Sequence, residues 1–511
     1  MPTRQLIAAL AALLALPAAA QDSQPLSAIG WLSEPPPESR MPGTVLLEPP
    51  VADTALTPDV AVTPLEALLP PVGLVGPAAT GLPVDLWRGS RADVLAGLIE
   101  TVPVKGSPAM QSLLFTLLLS ETRAPAGPGA QETLLLARLA RLMELGAPDP
   151  AQALAQQAGP AETPERFAAW FDATLLTGDE ARACAALTAR PYLSPDYAPQ
   201  VYCAMQRGDW PTAALLLDSA EALDLISQSD FLLLDRFLTP EISDLAPPLS
   251  RPDRPTPLEF RILEAIGEPM PTAPLPRAFA AADLRDLAGW KAQLEASERL
   301  TRAGALNPNH MLGLYTQREP AASGGIWDRV EALQQFEAAL ASGSAAAVAE
   351  RLPAVWSAMQ DAGTEVAFAD LFGPQLAEIP LDGPGAGLAW RIRLLSPEYE
   401  AAAQALPGNS RENIFLAALA RGAPGRAAAP SELAQAISAG FSADARPPAG
   451  LQDRLDRGQL GEAILRAMKL FHRGAAGNHA DLSAALAAFR AVGLEDTARR
   501  AALQLMLLER G

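Results

Sequence analysis

Proline is the residue that most restricts how this chain can fold. The sequence has 511 residues and 49 prolines, and 13 of these fall between residues 21 and 95. Each proline removes a backbone donor and pushes the residue before it out of the α region, so a long helix does not fit in this stretch. We therefore predict an extended, proline-rich N-terminal arm over residues 21–95.

Two apolar islands interrupt this arm, Ile29–Leu32 and Leu82–Trp87. Large apolar side chains such as tryptophan and leucine gain free energy when they leave water. We expect both islands to dock on the body of the same chain. Docking on a partner protein is the alternative.

From about Ser107 onward, the apolar residues recur at the spacing of an α-helix. Met110–Leu119, Leu134–Leu145 and Ala213–Leu223 place them at i, i+3, i+4 and i+7, and no stretch alternates long enough to predict a strand. Alanine and leucine are abundant and aromatic residues make up only 5%, a composition that favours closely packed helices. The predicted fold class is all-α.

A second proline cluster divides the helical part of the sequence. Nine prolines fall between residues 247 and 276, where they interrupt helices on either side of a short helical pattern. We predict a helical repeat domain over residues 96–245, a proline-rich seam over 246–277 and a second helical domain over 278–511.

A glycine and an alanine recur together at a spacing of five residues. The first three glycines are 32 and 30 residues apart. A glycine can end a helix in the left-handed conformation, and a small residue lets the next helix cross closely. The pairs are Gly146 with Ala151, Gly178 with Ala183, Gly208 with Ala213, Gly458 with Ala463, and Gly493 with Ala498.

The stretch from Arg207 to Ala220 resembles the turn and second helix of a tetratricopeptide repeat. Gly208, Trp210, Ala213 and Ala220 stand at the places where that family has glycine, an aromatic residue and two alanines. The tryptophan, glycine and tyrosine that the family places upstream of the glycine are absent. The resemblance implies an irregular helical-hairpin solenoid, whose concave surface binds peptides or partner proteins.

The first 20 residues have the pattern of a secretory signal peptide. Arg4 supplies the positive start, Leu6–Leu16 an apolar stretch of eleven residues, and Ala18–Ala20 the small-residue cleavage site. A membrane span needs roughly 20 apolar residues. We predict cleavage after Ala20 and a periplasmic protein without a membrane span. The alternative is a short N-terminal core helix.

The two cysteines, Cys184 and Cys203, are placed symmetrically about the proline-containing loop Arg190–Pro195. If helices flank that loop and run antiparallel, the two sulfur atoms lie at the same height. An oxidising compartment would then join them in a disulfide. A pair of buried free thiols is the alternative.

The charge balance limits the possible partners. The chain has 39 basic and 58 acidic residues and a formal net charge of −19. Such a surface repels phosphates, which excludes nucleic acid and anionic lipid as expected partners. Protein partners of the cell envelope are the remaining expectation.

Motifs for catalysis or cofactor binding are absent. The sequence contains neither a Gly-Lys-Ser/Thr phosphate loop nor a Gly-x-Ser-x-Gly nucleophile motif. The three histidines, His310, His472 and His479, lack the ligand set that a zinc site needs. We therefore expect no cofactor, no metal and no enzymatic activity.

One leucine-poor window, residues 315–329, is the candidate binding loop. Free backbone donors at a helix start, with two arginines nearby, could hold a carboxylate or another anion. The alternative is a serine cap on an entry loop, with the tryptophan in the core. The candidate residues are Arg318, Ser323, Gly324, Gly325, Trp327 and Arg329.

Two functions follow as expectations. The first is a non-catalytic periplasmic scaffold that serves an envelope-associated assembly. The alternative is a glycan-active or peptidoglycan-active enzyme, because soluble lytic transglycosylases are similar in having periplasmic helical superhelices. In that family a lysozyme-like domain with a catalytic glutamate follows the superhelix, whereas here the helical pattern continues to Arg510.

The signal-peptide interpretation predicts the N-terminus of the mature protein. N-terminal sequencing of protein from the periplasm is expected to begin at Gln21 or within a few residues of it, because the small-residue site ends at Ala20. Intact Met1 in a cytosolic fraction would contradict export.

Overall fold

The computed structural model describes residues 70–239, 249–285 and 287–508. Within these ranges, regular secondary structure consists of helices, and the all-α prediction is confirmed. Two isolated bridges pair Val72 with Thr122 and Val75 with Ser120. The predicted signal peptide, the first apolar island and most of the predicted arm lie outside the described residues.

Within the described residues, eleven α-helices precede the end of the predicted seam. Their bounds are α1 Pro77–Thr80, α2 Ala92–Thr101, α3 Pro108–Leu119, α4 Ala130–Leu145, α5 Pro148–Gln157, α6 Pro164–Thr177, α7 Ala181–Ala189, α8 Tyr197–Gln206, α9 Trp210–Ala222, α10 Gln228–Leu238 and α11 Pro257–Ala265. Helix α2 thus begins inside the predicted arm, where residues 84–95 contain no proline.

Fourteen α-helices follow in the rest of the chain that the structure describes. Their bounds are α12 Ala280–Asp283, α13 Trp290–Thr301, α14 Pro308–Thr316, α15 Ile326–Ala341, α16 Ala345–Ala362, α17 Glu365–Glu378, α18 Gly383–Arg393, α19 Tyr399–Ala402, α20 Arg411–Ala420, α21 Glu432–Gly440, α22 Ala449–Asp456, α23 Leu460–Ala475, α24 His479–Ala491 and α25 Glu495–Leu507. Most neighbouring helices along the chain pack together as hairpins, among them α5 with α6, α8 with α9, α15 with α16 and α23 with α24.

The glycine–alanine spacing has the predicted geometry. Gly208 follows α8 with φ 74°, and the N–H of Asp209 donates to the carbonyl of Ala204, which closes the helix end. Ala213 is fully buried where α9 packs on α8. The other four glycines also have positive φ, and the alanines that follow them are buried. The tetratricopeptide resemblance itself stays a prediction.

The cysteine prediction is borne out by the hairpin of α7 and α8. Cys184 lies on α7 and Cys203 on α8, and the structure joins them in a disulfide with Cα atoms 5.0 Å apart. Both cysteines are buried beside the packed helices. In the chain-entropy view, a crosslink over a loop of this length stabilises the fold by about 3 kcal/mol.

By their contacts with one another, residues Ala67–Gly511 form one compact unit. One apolar core includes residues from Leu82 to Leu263 together with residues from Trp390 to Leu503, and a second surrounds Trp290 to Leu395. The first core therefore contains both early and late parts of the chain. The predicted domain boundaries at 245 and 278 stay predictions.

The second apolar island closes the fold. The side chains of Leu82, Leu86 and Trp87 are buried, and the backbone N–H of Gly461 in α23 donates to the carbonyl of Leu86 at 2.9 Å. Trp87 Nε1 donates to Thr122 Oγ1 at 2.9 Å. Helix α2 packs on α23 and α3 packs on α25. The expected docking of this island on the body is thus confirmed.

Replacing Gly461 by alanine is expected to destabilise this closure. A Cβ at Gly461 would lie 2.4 Å from Trp87 Cε3 and 3.0 Å from the Leu86 carbonyl oxygen. The overlap forces the island away from α23 and costs about 1–3 kcal/mol of unfolding free energy, measured by chemical denaturation. Gly97→Ala is the matched control, because Gly97 also lies within a helix and a Cβ there meets no atom within 4 Å. Equal stabilities for the two variants would contradict the closure.

Candidate ligand-binding groove

A groove made of three adjoining cavities runs along α3. From the N-terminal end of the helix, the cavities have volumes of about 740, 310 and 600 Å³. Gln111 lines the first and second cavities, and Phe115 lines the second and third, so the cavities adjoin. Pro108, Ser112 and Thr116 complete the α3 wall at helical spacing.

The opposite wall comes from the loop 301–308 and the first turns of α17, which contribute Val366 and Asp370. A glycine on this wall brings the loop close to α3. A Cβ at Gly304 would lie 3.5 Å from the Phe115 ring, so the groove is narrow at this point. Pro108 is the first residue of α3 and has no backbone N–H that would need a hydrogen-bond partner. The helix can therefore begin at the edge of a cavity.

Four cations line the first cavity: Lys105, Arg277, Arg299 and Arg302. Among the described residues, no carboxylate oxygen lies within 4.0 Å of their charged nitrogens. Backbone carbonyls position two of them. Arg302 Nε donates to a carbonyl at the end of α16 at 2.6 Å, and Arg299 donates to two carbonyls of residues 272–275. These cations therefore form no direct ion pair, although the charges of Glu144 and Asp283 act on Arg277 and Arg299 from a greater distance.

The arginines near this cavity repel one another. Burial lowers the pKa of Arg277, Glu144 opposes that effect, and the charges of Arg141 and Arg302 lower the pKa further. Burial also lowers the pKa of Arg299, with a contribution from Arg277. Because the guanidiniums stay protonated at neutral pH, a bound anion would relieve this repulsion.

The Gln111 side chain is a buried polar group directed to the same cavity. It is 7% exposed, lines both the first and the second cavity, and forms no side-chain hydrogen bond with the described residues. Its amide atoms stay accessible to solvent in the cavity, so the amide can donate to and accept from a ligand. We call Lys105, Gln111, Arg277, Arg299 and Arg302 the cationic cleft.

Three carboxylates also line the first cavity: Glu144, Asp361 and Glu365. Glu144 accepts from Arg141 Nη1 at 2.5 Å and is therefore already paired. Asp361 is exposed, whereas Glu365 is buried. The cleft is thus mixed in charge but has an excess of cations.

The other end of the groove contains two aspartates. Asp496 Oδ1 accepts from the hydroxyl of Tyr399 at 2.7 Å, and Asp496 Oδ2 forms an ion pair with Arg500, 3.1 Å from its Nε. Asp370 forms no hydrogen bond with the described residues, and part of it is exposed to the solvent of the cavity. The surrounding protein nevertheless desolvates its carboxyl group and raises its pKa to about 6, whereas the charge of Arg500 lowers that pKa. This end therefore carries a carboxyl that titrates near neutral pH.

The candidate loop predicted from the sequence lies outside this groove. Arg329 forms two hydrogen bonds with Glu298, at 2.7 and 2.8 Å, and the Gly324 N–H donates to Asp328 Oδ1 at 2.7 Å. Neighbouring acidic side chains therefore already engage Arg329 and one backbone donor of this loop, and the anion site proposed for it stays a prediction.

The proposed serine cap is absent as well. Gly325 occupies the N-cap position of α15 without a side-chain hydrogen bond, and Ser323 is exposed. Trp327 is half-buried and packs against Trp290 with ring centroids 5.2 Å apart. Arg318 is exposed, and its carbonyl accepts from the side chain of a glutamine in α15.

Comparisons with known proteins give no indication of function, so we infer the function from the groove. No protein-family model, curated protein or solved structure matches this chain. Across the described ranges, no group of three or more histidine, cysteine, aspartate or glutamate side chains could hold a metal ion. None of the helices in those ranges combines the length and the hydropathy that a membrane crossing requires.

Replacing Asp370 by asparagine is expected to change stability in a pH-dependent way. The native carboxyl has a pKa of about 6 against an ordinary value of 3.8, so the native state binds more protons between these values. Its contribution to stability therefore falls as pH rises through this window. Asp370→Asn should raise the melting temperature relative to wild type more at about pH 7.5 than at about pH 4.

Ser112→Ala is the control for this measurement. Ser112 lines the same cavity and carries no ionisable group, so its effect on the melting temperature should be the same at both pH values. An equal effect of Asp370→Asn at both values would mean that the Asp370 carboxyl is solvated like an ordinary surface carboxylate.

Proposed function

We propose that this chain is an exported, non-catalytic helical scaffold that binds an extended segment of a partner protein in its groove. The observation that carries the proposal is the continuity of the three cavities along one face of α3. Helix α3 has 12 residues, which corresponds to about 18 Å. An extended chain of about five or six residues covers that length.

The walls of the groove have the mixture that peptide recognition uses. Ligand sites combine apolar walls with a small number of convergent polar groups. Here Phe115, Leu119 and Val366 are apolar, and the cationic cleft supplies positive charges without a direct carboxylate partner at one end. The acidic chain as a whole disfavours nucleic acid, and the expected partners are proteins of an envelope-associated assembly.

A bulky residue in the groove is expected to block partner binding. Ser112 is exposed and lines the second and third cavities, so Ser112→Trp would fill the space that the segment occupies. The test is affinity purification of the mature protein from envelope extracts, with quantitative mass spectrometry. Partners recovered with wild type should fall about tenfold with Ser112→Trp, as expected for the loss of about 1.4 kcal/mol of binding free energy.

Ala214→Trp is the matched control for this experiment. Ala214 is exposed on α9 and does not line the groove. Partners should be recovered normally with this variant. Recovery that is unchanged by Ser112→Trp would rule out the groove as the binding surface.

The alternative, a glycan-active envelope enzyme, is favoured by one observation. Asp370 and Asp496 line the same cavity, and a raised pKa is what a catalytic acid needs. Against it, Asp496 is paired with Arg500, and Phe115 is the single aromatic side chain among the described residues that line the three cavities. Release of soluble fragments from purified peptidoglycan, abolished by Asp370→Asn, would support the enzyme instead of the scaffold.

A further inference from the structure

We infer that the cationic cleft selects the partner segment by its carboxylates, so that the groove binds an acidic stretch joined to apolar residues. This inference rests on the proposed function and names the chemistry of the segment that the groove takes. Its basis is the set of cations without a carboxylate partner at one end of the groove and the apolar wall at the other.

The first argument is the state of the cations. Arg299 and Arg302 are fixed by backbone carbonyls, so their guanidiniums are already ordered before a ligand arrives. Arg277 forms no side-chain hydrogen bond with the described residues, and none of the three has a carboxylate partner. Guanidinium groups bind carboxylates through charge-assisted, often paired hydrogen bonds. Preordered groups lose little entropy when they bind.

The second argument is the Gln111 amide. Most of the side chain is buried, but its amide atoms reach the solvent of the cavity, where they have no hydrogen-bond partner among the described residues. Its NH₂ group can donate to a carboxylate, and its oxygen can accept from a peptide N–H. A peptide segment offers both groups, so it satisfies this side chain more completely than a simple anion does.

The charge of the whole chain adds selectivity. With a formal net charge of −19, most of the surface repels an acidic segment. The cationic cleft is therefore a local attractive site on a repulsive body, which directs an acidic segment to one register and disfavours binding elsewhere.

The shape and charge of the cleft favour several carboxylates over one compact dianion such as phosphate. Its volume of about 740 Å³ far exceeds one phosphate, and the cations come from three separate segments of the chain. Asp361 and Glu365 line the same cavity and would oppose a concentrated double charge. Separated single charges can each contact a cation and avoid these acids.

The apolar part of the segment follows from the rest of the groove. Beyond the cationic cleft, Phe115, Val366, Leu119 and Leu82 line the second and third cavities. Phe115 is half-buried, so it keeps apolar surface available for a ligand. Leucine or valine side chains that follow the acidic stretch would bury against this wall.

The test is fluorescence anisotropy with the mature protein and two labelled peptides of about eight residues, a length that spans α3 in extended form. One peptide has three glutamates followed by leucine and valine residues, and the other has lysines in place of the glutamates. The glutamate peptide should bind about tenfold or more tightly than the lysine peptide, and its affinity should fall as salt is added. Equal binding of the two peptides would overturn the inference.

Three variants locate the effect. Arg277→Gln with Arg302→Gln should lower the affinity for the glutamate peptide about tenfold or more. Gln111→Glu should also lower this affinity, because the new negative charge repels the peptide while the size of the side chain is unchanged. Arg251→Gln with Arg254→Gln is the control of equal charge, since both arginines are exposed and lie outside the groove. Circular dichroism confirms that each variant is folded. A control pair that weakens binding as much as the cleft pair would show a general charge effect and overturn the inference.

Competition distinguishes a peptide site from a small-anion site. Inorganic phosphate at about 1 mM, added at constant ionic strength, should leave the glutamate peptide bound. Complete displacement, with phosphate binding detected by calorimetry, would assign the cleft to a small oxyanion and overturn the inference.

The two proposals fail separately. If Ser112→Trp abolishes partner recovery but Arg277→Gln with Arg302→Gln does not, the inference of an acidic segment is overturned and the scaffold proposal stands. Partner recovery that is insensitive to Ser112→Trp would remove the groove function itself.

Discussion

The contact of Trp87 and Leu86 with Gly461 is the constraint on which the rest of the structure depends. It fastens the start of the described chain to a helix near its end, and the missing side chain of Gly461 allows the indole to lie against the α23 backbone. With α2 on α23, helix α3 is placed against α25, where the Ala109 N–H donates to Gln504 Oε1 at 2.8 Å. The position of α3 in turn defines one wall of the groove.

A buried cation reinforces the same arrangement from the other side. Arg138 of α4 is 2% exposed and donates to the carbonyls of Val72, Leu118 and Ser120 at 2.7–2.9 Å. Burial lowers its pKa to about 10, which still leaves it charged at neutral pH. Like Arg299 and Arg302 of the cationic cleft, it donates to backbone oxygens instead of to acids. Helix ends and irregular segments supply those oxygens, so an acidic protein can keep positive charges unneutralised.

The sequence predicted what depends on local order along the chain. Helical spacing, the glycine at 208 and the symmetric placement of Cys184 and Cys203 each act within one hairpin, and the structure has those features. The functional site depends on residues far apart in sequence. Lys105 and Arg277 line the same cavity although they lie far apart in the sequence, which local spacing does not encode. Only Arg299 and Arg302, three residues apart at the end of α13, are close in the sequence. In the predicted loop, Arg329 pairs with Glu298, a contact between residues 31 apart in the sequence that the local pattern did not indicate.

The closing contact can form only late in the synthesis of the chain. Leu86 and Gly461 are 375 residues apart in the sequence, and a ribosome that adds about 5–20 residues per second needs roughly 20–75 s to cover that distance. During this interval the island around Trp87 has no α23 to bind, so its apolar side chains stay in water or on a holding factor. A chain that emerges with its N-terminal end first thus completes its first core last, and its early segment is the natural target for a chaperone that keeps nascent protein from associating.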